Sequence, residues 1–153
     1  MIVAMLAALE ATAAPVQCPP ASQLQVRDEF DRWVKAYELR DLDRTMAIFD
    51  PQVQFQFQGA PDAGWTALKS SYAEEFAKPA KVRWVPRWDQ IILSGRTAAA
   101  FSQWTALVAE SDGRSRTIAE NRGVDVLERG HDCHWRIVRS LNYPIKPPAP
   151  AGK

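Results

Sequence analysis

VRWVPRWDQIILSGRTAAAFSQWTALVAESDGRSRTIAENRGVDVLERGHDCHWRIVRSLNY, residues 82–143, decides the fold. Val82 to Leu93 is a strand-forming run that ends at Ser94-Gly95-Arg96, a tight-turn sequence. Thr97 to Glu110 returns, and Ser111-Asp112-Gly113 turns again. Arg114 to Arg129 is a third run. Gly130 to Asp132 turns, and His134 to Tyr143 is the fourth. Long runs joined by such short turns predict neighbouring antiparallel strands, a meander. Pro86 cannot donate to a ladder, which places it on an edge strand or at a bulge.

Upstream the apolar period changes from two to about 3.6. Leu24, Phe30, Trp33, Val34, Tyr37 and Leu39 include the spacings of an amphipathic helix over Ser22 to Arg40, with Ser22 as its N-cap. Asp41-Leu42-Asp43 restarts a short helix carrying Met46, Ile48 and Phe49, and Asp50-Pro51 stops it. Val53, Phe55 and Phe57 alternate with Gln52, Gln54, Gln56 and Gln58, a strand with one apolar face. Gly59 to Gly64 is a loop. A third helix runs from Trp65 to Ala77, with Trp65, Leu68, Tyr72 and Phe76 on one face, and Lys78-Pro79 ends it. Three helices in the N-terminal half and a long sheet predict an α+β domain. The sheet is read as a curved antiparallel one, closed by the helices into a cone. A twisted, curled sheet leaves a hollow where helices and strands fail to meet.

The chain of 153 residues suits one core. Nineteen basic and eighteen acidic residues leave a net charge of +1, and no run of like charge reaches five. That argues against a nucleic-acid surface, which works by neutralising phosphates. Six Trp are many for this length. Rings beyond the needs of a core line ligand sites, and plain packing is the other reading of each.

The organisation expected is residues 1–13 as a signal peptide, 14–22 as a linker, 23–144 as the domain and 145–153 as a Pro-rich tail. Met1 to Leu9 is apolar and Ala11-Thr12-Ala13 fits a small-x-small cleavage site, although no basic residue precedes the run and Glu10 follows it. The run is shorter than the roughly 20 residues needed to cross a bilayer. Export implies a periplasmic or secreted protein. Cys18 and Cys133 are the only cysteines. One disulfide between them after export would add about 3–5 kcal/mol in the chain-entropy account; two unrelated thiols is the alternative.

The element order resembles the nuclear transport factor 2-like superfamily, which includes ketosteroid isomerase, scytalone dehydratase and SnoaL-like polyketide cyclases. Three stretches carry the likeness: Arg40-Asp41-Leu42-Asp43 with Met46 to Pro51, Gly64-Trp65 opening the third helix, and Gly123 to Glu128 followed by Trp135-Arg136-Ile137-Val138. The resemblance covers about Leu24 to Pro144. It implies the cystatin-like roll of that superfamily and a pocket beneath the helices. The place of the isomerase's Asp base falls on Phe57, which takes no proton, and that of its oxyanion-binding Tyr falls near Trp33. The resemblance also implies that Asn142, at the end of the last strand, completes the pocket.

Tyr37, Trp65, Tyr72 and Trp104 are further candidate pocket residues with flat apolar bodies. Glu120 and Arg122 share one strand face and would form a charge pair at the pocket's edge, if that face is concave; a structural or dimer-contact pair is the alternative. His131-Asp132-Cys133-His134 lies in a turn and lacks a fourth ligand, so neither a metal nor a cofactor is expected. No nucleophile motif or dinucleotide fingerprint occurs. The reading is thus an exported binder of a small apolar molecule with no identifiable catalytic base. The alternatives are a lyase or isomerase on an apolar or polyketide-like substrate, and a homodimerisation module.

Overall fold

The structure, a computed structural model, describes residues 17–145. The proposed signal peptide and nearly all of the Pro-rich tail therefore lie outside the described residues. The chain order is α1 (Gln23–Glu38), α2 (Leu42–Met46), β1 (Phe49–Phe57), α3 (Trp65–Ala77), β2 (Val82–Ser94), β3 (Thr97–Ala109), β4 (Ser115–Arg129) and β5 (Trp135–Pro144). Strands lie in the order β1-β5-β4-β3-β2.

The last four strands form the expected antiparallel meander. The first does not join it in that sense: β1 pairs in parallel with β5, so the sheet is mixed. Helix α3 leads away from β1, and the chain returns to it only through the last strand. Pro51 lies inside β1 rather than ending an element. An edge strand tolerates it, and the register breaks between Phe49 and Gln54 around it. Pro86 likewise sits on the other edge strand, β2. Register shifts beside Asp89, Ile118 and Val138 mark bulges in three strands, which increase local twist and curl the sheet.

Helix α1 starts with a capping box. Ser22 Oγ accepts from the Gln25 amide at 3.3 Å, and Gln25 Oε1 accepts from the Ser22 amide at 3.2 Å. Val26, Phe30 and Tyr37 turn one face inward at helical spacing. Arg40 ends it in the left-handed region at φ 56°. The Arg40 guanidinium donates to the carbonyls of Phe76 and Ala80, both at 2.8 Å, so the ends of α1 and α3 are fastened together. Asp41 caps α2 by accepting from the Arg44 amide.

The core lies between α1, α2 and the concave face of the sheet. Val26, Met46, Leu127 and Trp135 are its most completely enclosed apolar side chains. Ala98, Ala100 and Ala106 of β3 are buried too. Cys18 and Cys133 are joined by a disulfide with Cα atoms 5.3 Å apart, closing a span of 115 residues. Residues Gln17–Ser22 have no regular structure, yet they are tied to the β4–β5 turn by that bond and by Arg129 Nη1 donating to the Pro19 carbonyl at 2.6 Å.

Candidate functional site

A cavity of about 130 Å³ opens between α1, α3 and the concave face of the sheet. Aromatic side chains make its walls. Trp33 stands edge-on to Trp104, with centroids 5.4 Å apart, and edge-on to Tyr72 at 6.3 Å. Phe55 and Phe57 close it from β1 and Trp84 from β2. Such edge-to-face contacts hold rings rigidly while leaving their faces available. An apolar cavity of about 150 Å³ holds benzene, so this one is close to the size of a single small ring.

The polar groups converge from β4 and β5. Asp125 pairs in register with Ser140. Asp125 is only 5% exposed, yet it lines the cavity. Its Oδ1 accepts from Ser140 Oγ at 2.6 Å, and Ser140 Oγ in turn accepts from Asn142 Nδ2 at 2.7 Å. Its other oxygen has no hydrogen-bond partner among the described residues, and it is not sealed away from the cavity. Among the described residues no Lys, Arg or His pairs with it. Burial in apolar surroundings raises its carboxyl from the usual 3.8 to about 6, and the Ser140 hydrogen bond offsets only part of that.

Gly123 makes this chain of contacts possible. It lies opposite Asn142, and a Cβ there would stand 2.2 Å from Asn142 Oδ1 and 2.7 Å from the Leu141 carbonyl. Only a residue without a side chain lets Asn142 lie across β4 and reach Ser140.

Tyr72 lines the cavity from α3 and Glu75 stands one turn further along the same helix. Burial, then the neighbouring Tyr37, Glu75 and Asp125, push the Tyr72 phenol above its ordinary range, so it stays a neutral donor. Tyr37 is raised by burial and by its hydrogen bond to Glu75, to which its hydroxyl donates.

Of the residues picked from sequence, Trp33, Phe57, Tyr72, Trp104 and Asn142 line the cavity. Four do not. Tyr37 lies behind the wall, 3% exposed; it packs on Trp33 and Tyr72 and donates to Glu75, all of which line the cavity. Trp65 opens α3 half-buried against the core, away from the cavity lining, with Lys69 Nζ 5.1 Å from its ring centre. Glu120 and Arg122 fall on the outer face of the sheet and are exposed. Arg122 faces Asp89 there at 3.6 Å. The inward set of β4 is Asn121, Gly123, Asp125 and Leu127. The sequence reading named no titratable acid inside the cavity; Asp125 lies there and was missed. Its strand misleads because the apolar Val124 and Val126 face outward while Gly123 and Asp125 face in. Ser140, Asn121 and Glu75 were missed with it.

At the β4–β5 turn the two histidines do not converge. His134 Nδ1 meets Glu29 Oε1 at 3.0 Å, while Asp132 binds Arg136. No group of three or more His, Cys, Asp or Glu among the described residues is placed to hold a metal. No helix among them is long and apolar enough to cross a membrane.

A family model described as a SnoaL-like domain matches residues 30–139. No curated protein matches the sequence. Solved structures share the fold. A ketosteroid isomerase-like protein from Erwinia carotovora atroseptica superposes with a TM-score of 0.64 at 16% identity, covering 81% of this chain and 96% of that one. An NTF2-like protein with a cystatin-like fold from Novosphingobium aromaticivorans gives 0.67 at 16% identity, over 80% and 81% of the two chains. ActVI-ORFA from Streptomyces coelicolor gives 0.66 at 17% identity, over 79% and 95%. At such identities the likeness shows architecture, not activity.

Proposed function

We propose, from the premise that this chain belongs to the SnoaL-like domain family of the nuclear transport factor 2-like superfamily, that it is a proton-transfer enzyme of the lyase or isomerase type acting on a small, largely apolar molecule. The observation that carries this reading is Asp125, a carboxylate buried in a ring-lined cavity with no cation paired to it among the described residues. A binder without chemistry has no use for such a group, because burying it ionised destabilises the fold. A carboxyl raised to about 6 is close to the pH at which it must both hold and release a proton. Ionised, it takes a proton from an acidic C–H of the bound molecule and returns it at a neighbouring atom. Tyr72 and the amides of Asn121 and Asn142 are the donors available to the substrate's polar end.

The test has two stages. A panel of one- and two-ring ketones is screened by thermal shift, since a molecule that binds only the folded chain raises its melting temperature. The compounds that bind are then incubated in D₂O, and NMR follows deuterium entering their acidic C–H positions. The expected result is exchange by the native chain and none by Asp125→Asn, with binding retained. Equal exchange by both proteins would remove Asp125 from the chemistry. Binding without exchange in either would leave the pure binder as the function.

Export to an oxidising compartment is the proposal for location, supported by the Cys18–Cys133 bond. A homodimer is the proposed assembly. Phe101, Val124 and Leu141 lie side by side across β3, β4 and β5 on the outer face, with Phe101 37% and Leu141 41% exposed. Light scattering that finds only monomer at tens of micromolar would exclude it.

A further inference from the structure

A second cavity, of about 190 Å³, lies where the β2–β3 and β4–β5 turns meet the N-terminal segment. Cys18, Arg96, Arg129, Gly130 and His131 line it. The two turns are bound to each other: the Arg129 amide donates to the Arg96 carbonyl at 2.8 Å, and Arg96 Nη2 donates back to the Arg129 carbonyl. Arg96 and Arg129 thereby line the same cavity.

Arg129 is 7% exposed, an unusual degree of burial for a charge. Its Nε donates to the Cys133 carbonyl at 3.3 Å, its Nη1 to the Pro19 carbonyl, and its guanidinium lies 5.7 Å from the Trp135 ring centre. Those partners are dipoles and a π-face. They carry no negative charge. Among the described residues neither Arg96 nor Arg129 pairs with a carboxylate, and Arg129 Nη2 donates to nothing. The acids of this end are engaged elsewhere. Glu29 binds Arg32 and His134, and Asp132 binds both terminal nitrogens of Arg136. A buried cation without a counter-charge costs several kcal/mol, and a second cation lining the same cavity adds to the positive charge there. One small anion relieves both.

We propose that Arg96, Arg129 and His131 frame a second binding site, for a soluble oxyanion of the phosphate or sulfate kind. Guanidinium groups offer planar pairs of N–H donors that fit such oxygens. The cavity holds several times the roughly 30 Å³ share of one water, which is enough for a tetrahedral ion. The disulfide is one wall, through Cys18, and Arg129 holds the adjoining Pro19 carbonyl. The site therefore exists in full only while the bridge is intact.

The experiment titrates inorganic phosphate into the disulfide-bonded chain at constant ionic strength, balanced with chloride. Melting temperature and ³¹P line width are the readouts. The expected result is a saturable rise and saturable broadening. Arg96→Gln alters an exposed side chain and leaves the core intact; it should weaken phosphate binding about tenfold or more, the loss of one charge-assisted hydrogen bond. The double variant Cys18→Ser, Cys133→Ser should weaken it as well. A rise that never saturates and is the same in Arg96→Gln is general salt exclusion, and it overturns the site. Co-sedimentation with phosphatidylcholine vesicles containing phosphatidic acid separates the sources of phosphate. Sedimentation with those vesicles, together with no response to inorganic phosphate, would overturn the assignment to a soluble ion.

Discussion

Replacing Asp125 by Asn should make the protein more stable at neutral pH while it abolishes proton transfer. Asn keeps an oxygen in the place of Oδ1 to accept from Ser140 and removes the charge. The carboxyl is raised from 3.8 unfolded to about 6 folded, so the folded chain holds its proton more tightly. Between those values the folded state binds more protons than the unfolded one, and stability falls as pH rises. Above about 6 the loss is complete, on the order of 3 kcal/mol. For a chain of this size that corresponds to roughly 6–12 °C in melting temperature. The assay is a set of thermal melts of both proteins from about pH 4 to pH 8. Asp125→Asn should melt higher at pH 8, and the two curves should converge near pH 4, where both side chains are neutral. A variant less stable at pH 8, or a difference that does not change with pH, would refute the idea that burial of an unpaired charge governs this site.

The remaining predictions concern other parts of the same frame. Gly123→Ala brings a Cβ to 2.7 Å from the Leu141 carbonyl, a backbone atom that cannot swing away; it should cost about 1–3 kcal/mol in a urea melt and weaken ligand binding by displacing Asn142. If Asp125 acts as a base, exchange of a bound ketone should fall tenfold per pH unit well below about pH 6 and level off above it; a rate that rises on acidification would make Asp125 the acid instead. Cys18→Ser with Cys133→Ser releases a span of 115 residues and should cost about 5 kcal/mol in the chain-entropy account, read as a lower urea midpoint.

Helix α1 was legible because Phe30, Trp33 and Tyr37 repeat at helical spacing behind a capping Ser22, although Leu24 and Leu39, read with them, are exposed and Val26, not read with them, is buried. The meander was legible because each turn carries Gly between long strand-forming runs, and Gly95 and Gly113 adopt positive φ there. The direction of β1 was not, since parallel pairing is set by where α3 returns the chain and no turn residue records it. The face of β4 was misread for a related reason. Hydrophobic alternation finds a buried face when the other side meets water. In β4 the outer face carries Val124 and Val126, and the inner face carries Gly123 and Asp125. The polar character that marks the cavity is therefore the feature that hides it. Five of the nine candidates still reached the cavity, all five from elements whose inward parity was plain or from the resemblance.

The cost of the buried acid and the gain from the crosslink are of the same order and opposite sign, which makes their combination testable. Asp125 lies four residues before Arg129, about 13 Å along an extended strand, and the bridged Cys133 lies beyond that. Sites so separated, with no shared partner, add within about 0.5 kcal/mol. The chain lacking the bridge should therefore be marginal at pH 8, where Asp125 is ionised, and firmer at about pH 5. Asp125→Asn in that same background should return about 3 kcal/mol at pH 8 and almost nothing at pH 4. Melts of the four proteins at pH 8 and at pH 4 close the cycle. A coupling well above 0.5 kcal/mol would mean that strand β4 transmits strain from the bridge to the cavity, and the treatment of the two ends as independent would be wrong.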